Sequence, residues 1–470
     1  MNTATLLDGL NEEQKAAVVH TTGPQLVLAG AGTGKTRVIT TRIANLIAQG
    51  VDPLSIAAVS FTRKAGAEMQ SRVFELVGDI ADEMRISTFH SLGLSILREN
   101  HEIAGLERSF GVCDDKKRRL IAEQVLDKLA APLDDEHDRE LEITDLLRSI
   151  SSAKTAGRCI NSLLTSHLLH DRYVGEALAY YDQALREQQL IDLDDMVRLP
   201  VEILESNATL RDCYQNRYRH VLIDEYQDSN LLQHRLMRCL VGSEENICVV
   251  GDDDQSIYGF RGAKRELILS FESDFPSARV VKLVENYRCS EEIIDVANEV
   301  ISNSQQRFEK QLIAANGSHA PVRLVEAPNR EHELRFIARD IANSDESGDV
   351  AILFRTQRDI SDMRQELKSN GVSPDSVQLM TLHASKGLEF ARVYLPSLEE
   401  STLPHWNAIQ GGIDAVEEER RLFYVGVTRA RKKLTLSLSR RCGSHAREQS
   451  RFADTLLAKN LVSRSEISAA

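Results

Sequence analysis

Aromatic residues are scarce in this chain, 5% of 470, and only one of them is tryptophan. Charge is plentiful instead, as in a soluble, helix-rich enzyme. The seven cysteines are odd in number and scattered, with no CxxC pair. That excludes a disulfide framework and leaves reduced thiols of a cytosolic protein as the plain reading. Positive charge is in deficit: 57 Lys and Arg against 71 Asp and Glu, a formal net charge of −14. A wholesale basic coat for nucleic acid is thereby excluded, but a local basic groove is not. No apolar run approaches membrane-spanning length, and the opening MNTATLLDGLNEEQ lacks a basic-then-apolar leader. The expectation is a cytoplasmic chain with no membrane contact. No low-complexity tract or short-period repeat is present. What remains, 42% hydrophobic over this length, suffices for about three ordinary domains.

The stretch that organises the rest is Gln25–Thr36, QLVLAGAGTGKT. Gln25–Leu28 reads as a buried parallel strand. A glycine-rich turn of Ala29, Gly30, Ala31, Gly32, Thr33 and Gly34 follows, and Gly34-Lys35-Thr36 opens a helix. Such a turn aims backbone N–H groups and a helix start into one concavity suited to phosphate. Lys35 can reach the outer phosphates of ATP, and the Thr36 hydroxyl can ligate Mg²⁺. The strict glycine-first pattern is missed by one residue, because Ala29 stands in the first glycine place.

Along the chain, Asn11 is a candidate N-cap for a helix over Gln14–Val18. Gln14 has two readings there: an ordinary exposed helix residue, or an amide that meets an adenine edge. Ile56–Ser60 is a second buried strand running into Phe61-Thr62-Arg63, a turn with an aromatic and a cation suited to a base and a phosphate. Phe61 reads equally as core. Arg85–Ser91 repeats the pattern with Thr88 and His90. From Leu92 to about Gln189 the periodicity is helical and the charge dense, with DDKKRR at Asp114–Arg119 and DDEHDRE at Asp134–Glu140. These runs read as solvated faces, with Lys116–Arg119 as a second candidate for DNA contact. Asp192, Asp194 and Asp195 are read as helix-start and structural charges rather than as a metal site.

His220–Ile223 is an apolar strand ending in Asp224-Glu225. In a chain with a phosphate loop, Asp224 would hold Mg²⁺ and Glu225 would polarise the attacking water. Ile247–Val250 leads into GDDDQSIYGFRGA, where Gln255 is placed to sense the γ-phosphate. Tyr258, Phe260 and Arg261 add two π-faces and a cation, or else pack on the core. A second sheet is expected from near Pro276, with strands at Val280–Leu283, Val322–Glu326, Val350–Phe354, Val377–Thr381, Arg392–Leu395 and Leu434–Leu438. In it Arg288 and Arg429 are the candidates for an arginine that stabilises phosphoryl transfer. Arg420, Arg421 and Arg431 read as surface pairs of Glu417–Glu419, and Trp406 as a packing anchor.

Taken in order, GAGTGKT, SFTRKAGAEM, STFHS, VLIDEYQDSN, VVGDDDQSIYGFRGA, LVENYRC, TLHASKGLEF and EEERRLFYVGVTRAR closely resemble the UvrD/Rep/PcrA branch of superfamily 1 DNA helicases, from Leu10 to about Leu438. The resemblance implies an α/β fold of two RecA-like parallel-sheet domains in tandem. The first, 1A, would cover 1–91 and 190–275, with an all-helical insertion, 1B, at 92–189. The second, 2A, would cover 276–455, and 456–470 would be a tail, too short for a fused nuclease. It implies that Gln14 reads adenine, Tyr287 stacks on it, Arg37 touches the nucleotide and Glu389 lies near the ribose. Lys35, Thr36, Asp224, Glu225, Gln255, Arg288 and Arg429 fill the hydrolytic positions for ATP and Mg²⁺. Phe61, Thr62, Arg63, Thr88, His90, Tyr258, Phe260, Arg261, Thr381 and His383 match the groove for single-stranded DNA.

The implied activity is 3′-to-5′ movement on that strand and unwinding of 3′-tailed duplex DNA. Two alternatives stand beside it. One is a translocase that displaces proteins or drives a protein partner with little unwinding; the other is an ATP-switched DNA-binding subunit without catalysis. Phe260 departs from the family's usual tryptophan and Cys289 from its usual serine. The family's 2B arm has no room between Phe354 and Val377.

Overall fold

The structure is a computed structural model that describes residues 6–129, 136–344, 349–442 and 445–467. They form two compact units. One takes residues up to 27, 36–250 and 260–281, and the other takes 28–35, 251–259 and 282 onward.

The first sheet contains β1 (Gln25–Ala29), β2 (Ile56–Ser60), β3 (Arg85–Thr88), β4 (His220–Ile223), β5 (Ile247–Gly251) and β6 (Arg279–Leu283). Their order is β3-β2-β4-β5-β1-β6, all parallel. QLVLA, IAAVS and ICVVG are buried at every residue, as continuous apolar runs are when helices cover both faces of a parallel sheet. Register places Ala57 opposite both Arg85 and Val221. The phosphate loop, Asp224-Glu225 and the Asp252–Gln255 turn each leave the carboxyl end of a strand of this sheet, where parallel α/β folds put their chemistry.

The strand over Val280–Leu283, assigned from the sequence to the second sheet, is instead the edge of the first, beside β1. Its apolar residues suit either sheet, and pairing decides: Arg279 N–H donates to Pro24 O (3.0 Å).

Between β3 and β4 the chain is helical. Helices Asp115–Leu129, Glu136–Thr155 and Leu169–Glu187 share a core of Ile121, Val125, Ile150, Leu163, Leu178 and Tyr181. Two-residue strands, Gly111–Val112 and Leu190–Ile191, pair where this insertion leaves and rejoins the unit. The Asp114–Arg119 run does line an outer face. Arg119 pairs with Glu140, and Arg139 with Asp127 (2.5 Å) and Glu123 (3.3 Å). Most of the Asp134–Glu140 run lies outside the described residues or their described side chains.

Asp192 and Asp195 are structural, as expected. Lys154, wholly buried, sits 2.9 Å from Asp192, 3.0 Å from Asp195 and 3.0 Å from Asp182. Burial works against its charge, but the three carboxylates outweigh that and push its pKa up.

The second sheet contains β7 (Arg323–Ala327), β8 (Val350–Phe354), β9 (Val377–Thr381), β10 (Phe390–Leu395), β11 (Ala430–Ser439) and β12 (Ser463–Glu466). They are ordered β9-β8-β10-β11-β7-β12 and run parallel. Alternation along the strands builds two cores. Leu353 and Val393 pack with helices Glu291–Ser302 and Ile413–Val427. Ile352, Phe354 and Tyr394 pack with helices Arg330–Ala342 and Asp359–Ser369. One helix and a turn at Pro374–Ser376 join β8 to β9.

The segment 456–470, read as a tail, contains β12. SRSE has no apolar pattern to announce it and is exposed along its length. Backbone pairing with β7 holds it, aided by Arg464 on the buried Glu326.

The architecture is two RecA-like α/β domains in tandem, the first with a helical insertion. No helix among the described residues is long and apolar enough to cross a membrane.

Candidate active site

In the second unit the phosphate loop lies against Glu285–Arg288. Gly32 and Gly34 hold φ of +67° and +88°, the left-handed region that glycine enters without strain. Gly32 is needed for space as well. A Cβ there would fall 2.6 Å from Asn286 Nδ2 and 2.7 Å from Arg288 Cβ. Asn286, buried, donates to Ala31 O (2.6 Å) and accepts from the N–H groups of Arg288 (2.9 Å) and Cys289 (2.7 Å). Tyr287 N–H donates to Gly32 O (3.0 Å) and Gly30 N–H to Leu283 O (3.3 Å). Lys35 Nζ bonds Ala29 O at 3.0 Å, folded over its own loop.

Arg288 is thus brought beside the loop. Its Nε donates to Glu389 (2.6 Å) and its Nη1 to Thr428 O (3.4 Å). Arg429 is placed differently. It is 1% exposed and donates to Val425 O (2.9 Å), Leu388 O (2.9 Å) and Thr428 Oγ1 (3.1 Å). Tyr287 is 46% exposed and donates its hydroxyl to Glu285 (2.5 Å).

Gln255 Nε2 donates to Asp252 at 2.5 Å, and Lys386 Nζ to Gln255 O at 2.8 Å. Tyr258 meets His383 with ring centroids 6.5 Å apart, and Lys386 lies 5.1 Å over the Tyr258 ring. Thr381 Oγ1 accepts from Ala384 N–H (3.3 Å). Asn286, Lys386 and Lys310, below, were not singled out as site residues from the sequence. The first two stand inside the segments NYR and ASKG that were; Lys310 lies in none.

In the first unit, Gln14 is buried, which corrects its reading as an exposed helix residue. Asn11 and Gln14 form a capping box for helix Glu12–Val19, each side chain accepting from the other's backbone N–H (2.8 and 3.1 Å). That helix is fixed to the one after the phosphate loop: Arg42 donates to Ala17 O (2.8 Å) and Asn45 to Val18 O (3.1 Å). Thr36 is half-buried and Arg37 exposed, near Gly9. Asp224, buried, follows β4, donates its N–H to Val59 O (2.9 Å) and accepts from Glu225 N–H (3.0 Å). Glu225 is held at φ +52°, a conformation costing a non-glycine residue on the order of 1 kcal/mol, and accepts from Gln227 (2.5 Å).

Phe61 is half-buried; Thr62 and Arg63 are exposed, and Thr62 caps helix Arg63–Val77 through Ala65 N–H (3.1 Å). Thr88, buried, caps helix Phe89–Glu99 through Ser91 N–H (3.2 Å). Burial, then the Arg63 charge, lowers the His90 pKa, so the imidazole is neutral at pH 7. Phe260 is 66% exposed, which excludes packing on the core, and the Arg261 guanidinium lies 5.5 Å from its ring.

Two readings fail. Trp406 is 51% exposed and is no packing anchor. Arg421 is buried and donates to Ser256 O (2.8 Å) instead of pairing on the surface. Arg420 does pair with Glu417 (3.1 Å), whereas Arg431 takes Asp349 (3.0 Å).

Two family models match the chain: the UvrD/REP helicase N-terminal domain over residues 10–276, and the UvrD-like helicase C-terminal domain over 281–374 and 372–441. The chain is 37% identical over 357 residues to the ATP-dependent DNA helicase PcrA of Staphylococcus aureus, covering 75% of this chain and 48% of that one. It is 39% identical over 354 residues to the ATP-dependent DNA helicase Rep of Escherichia coli, covering 74% and 52%. It therefore spans about half the length of the curated relatives it matches. With more than half of its residues inside the N-terminal model alone, the chain belongs to the UvrD/REP helicase family.

Proposed function

We propose that this chain is an ATP-dependent DNA helicase that moves 3′ to 5′ on single-stranded DNA and opens 3′-tailed duplexes. The observation that carries the reading is the approach of Arg288 to the phosphate loop at Gly32, where there is no room for a Cβ. An always-charged guanidinium, carried on a residue whose Cβ abuts the loop and held by Glu389 and Thr428 O, suits stabilisation of phosphoryl transfer. The names of the PcrA and Rep relatives support the same reading.

Roles follow from the chemistry of each group. Lys35 and Arg288 meet phosphate charge, while Arg429 steadies the Leu388–Glu389 turn and Thr428. Glu225 polarises water and Gln255 orients it. Gln14, Arg37, Tyr287 and Glu389 hold the base and sugar side of the nucleotide. The Thr36 hydroxyl and the Asp224 carboxylate are hard oxygen donors, the set that suits Mg²⁺; bound there, the ion would offset phosphate charge. Phe61, Thr62, Arg63, Thr88, His90, Tyr258, Phe260, Arg261, Thr381 and His383 line the path of the strand. Residues up to 91 with 190–283 serve as 1A, 92–189 as 1B, and the residues from about 284 through β12 as 2A.

The short β8–β9 connection favours a second reading, because it leaves out the 2B arm that in the family touches duplex DNA. The chain would then translocate in the cytoplasm and depend on a protein partner for unwinding. The deciding experiment follows ATP consumption and strand separation together, on 3′-tailed and 5′-tailed duplexes, at monomer concentrations. Separation of the 3′-tailed substrate alone is the expected result. Consumption without separation selects the partner-dependent reading. Absence of any DNA-stimulated ATP consumption overturns both.

A further inference from the structure

Asp252, Asp253 and Asp254 are three consecutive carboxylates, none more than 1% exposed. Their oxygens converge closely enough to hold a cation, and the chain supplies one. Lys310 Nζ lies 3.0 Å from Asp252 Oδ1, 2.6 Å from Asp253 and 2.6 Å from Asp254. Arg307 forks onto Asp254 at 2.9 and 2.6 Å, and Phe308 N–H donates to Asp253 at 3.1 Å. The other oxygen of Asp252, Oδ2, receives Gln255 Nε2.

A carboxylate accepts hydrogen bonds and does not donate them. While Asp252 is ionised, the Gln255 amide must turn its NH₂ toward it, and its carbonyl oxygen faces the other way. A carbonyl oxygen is the end that accepts a hydrogen bond from water and so aims a water's lone pair. A protonated Asp252 could donate instead, and the amide would be free to turn over.

We propose that Lys310 is a positioning residue for ATP hydrolysis: it keeps Asp252 ionised and thereby sets which end of the Gln255 amide faces the attacking water. The inference rests on the ATPase reading above. The charged and titratable groups around Asp252 are Lys310, Lys35, Asp253, Asp254 and Tyr424. Burial opposes its ionisation, and Lys310, then Lys35, outweigh burial and hold its pKa low. Bound nucleotide takes the Lys35 charge for its own phosphates. Lys310 then still stands 3.0 Å from Asp252, with Arg307 forked onto Asp254.

The test uses the full chain with Lys310→Met, and in parallel Lys310→Met with Asp253→Asn. The second variant removes one of the three buried charges without touching Gln255, because a buried carboxylate stripped of its partner can unfold a protein. Melting curves establish folding, and DNA-stimulated ATP hydrolysis is followed from about pH 6 to about pH 9. ATP consumption by the unmodified chain checks the underlying reading first; if it is absent, that reading fails and takes this one with it.

Given that activity, the folded variants are expected to keep KM for ATP within about twofold. Their kcat at pH 7 should fall roughly 10- to 100-fold, as when a water-positioning group is lost. It should recover as pH rises and Asp252 ionises unaided. A folded variant whose kcat and pH profile match the unmodified chain overturns the proposal. So does a rise in KM with kcat unchanged, and so does a double variant that no longer folds, which would make Lys310 a purely structural ion partner.

Discussion

Single residues in this chain are decided by their partners more than by their type. Two groups of three aspartates are each gathered around one buried lysine: Asp182, Asp192 and Asp195 around Lys154, and Asp252, Asp253 and Asp254 around Lys310. Removing Lys154 takes the cation from three carboxylates, leaving Arg198 on Asp182 and Asp195 among the described residues. Lys154→Met is expected to cost about 3–5 kcal/mol, read from denaturant melts.

Glu333 is the converse case, a buried carboxyl without a cation on it. It accepts from Ser397 N–H (2.8 Å) and Ser437 Oγ (2.6 Å). Burial, then the neighbouring Glu399, pushes its pKa to about 7, against the opposing hydrogen bonds from Ser437 and Ser397 and then the Arg330 charge. A folded-state pKa raised above that of the unfolded chain means that the folded state binds the proton more tightly. Glu333 therefore weakens the fold progressively as pH rises from its unfolded value toward 7 and beyond. Glu333→Gln should flatten the fall in melting temperature across that window; equal slopes for variant and parent would refute it. At the reaction itself, Glu225→Gln should abolish ATP turnover, by roughly 100-fold or more, while nucleotide still protects against thermal unfolding.

Elements were legible where one physical pattern dominated. The all-apolar strands β1, β2 and β5 could be little else, and Asn11, three residues before an amide at the right spacing for a capping box, did cap its helix. β12 was invisible because its four polar residues pair only through backbone and Arg464. β6 was visible as a strand but not as a member of the first sheet, since edge pairing leaves no mark on a local sequence. The loop after β5 ends with Phe260, whose exposed ring contributes little to stability. Phe260→Ala should leave the melting temperature unchanged and weaken single-stranded DNA by ~1–3 kcal/mol, the value of one stacked base. Fluorescence anisotropy with a labelled oligonucleotide measures it. A fall in melting temperature with affinity intact would show the ring to be packed in solution.

At the scale of the whole molecule, the formal charge of −14 means that the proposed attraction to DNA would come from a few local cations. Affinity for single strands should therefore fall with salt, with a slope of about 0.7 per phosphate contacted. A titration of binding against salt concentration reads that number directly; a slope near zero would remove the proposed groove.

The sequence by itself determined the phosphate loop, the acidic strand end at Asp224-Glu225, eleven of the twelve sheet strands and the family, because each is written in contiguous residues whose spacing carries the physics. Only the tertiary structure decided that Gln14 is a buried cap partner, that Arg421 and Arg429 are buried on backbone carbonyls, and that Arg288 stands beside Gly32. It alone decided, too, that Lys310 serves three aspartates more than fifty residues before it. Those outcomes depend on which distant segments pack together and on the cost of leaving a buried charge unpaired, and neither is a property of any one stretch of chain.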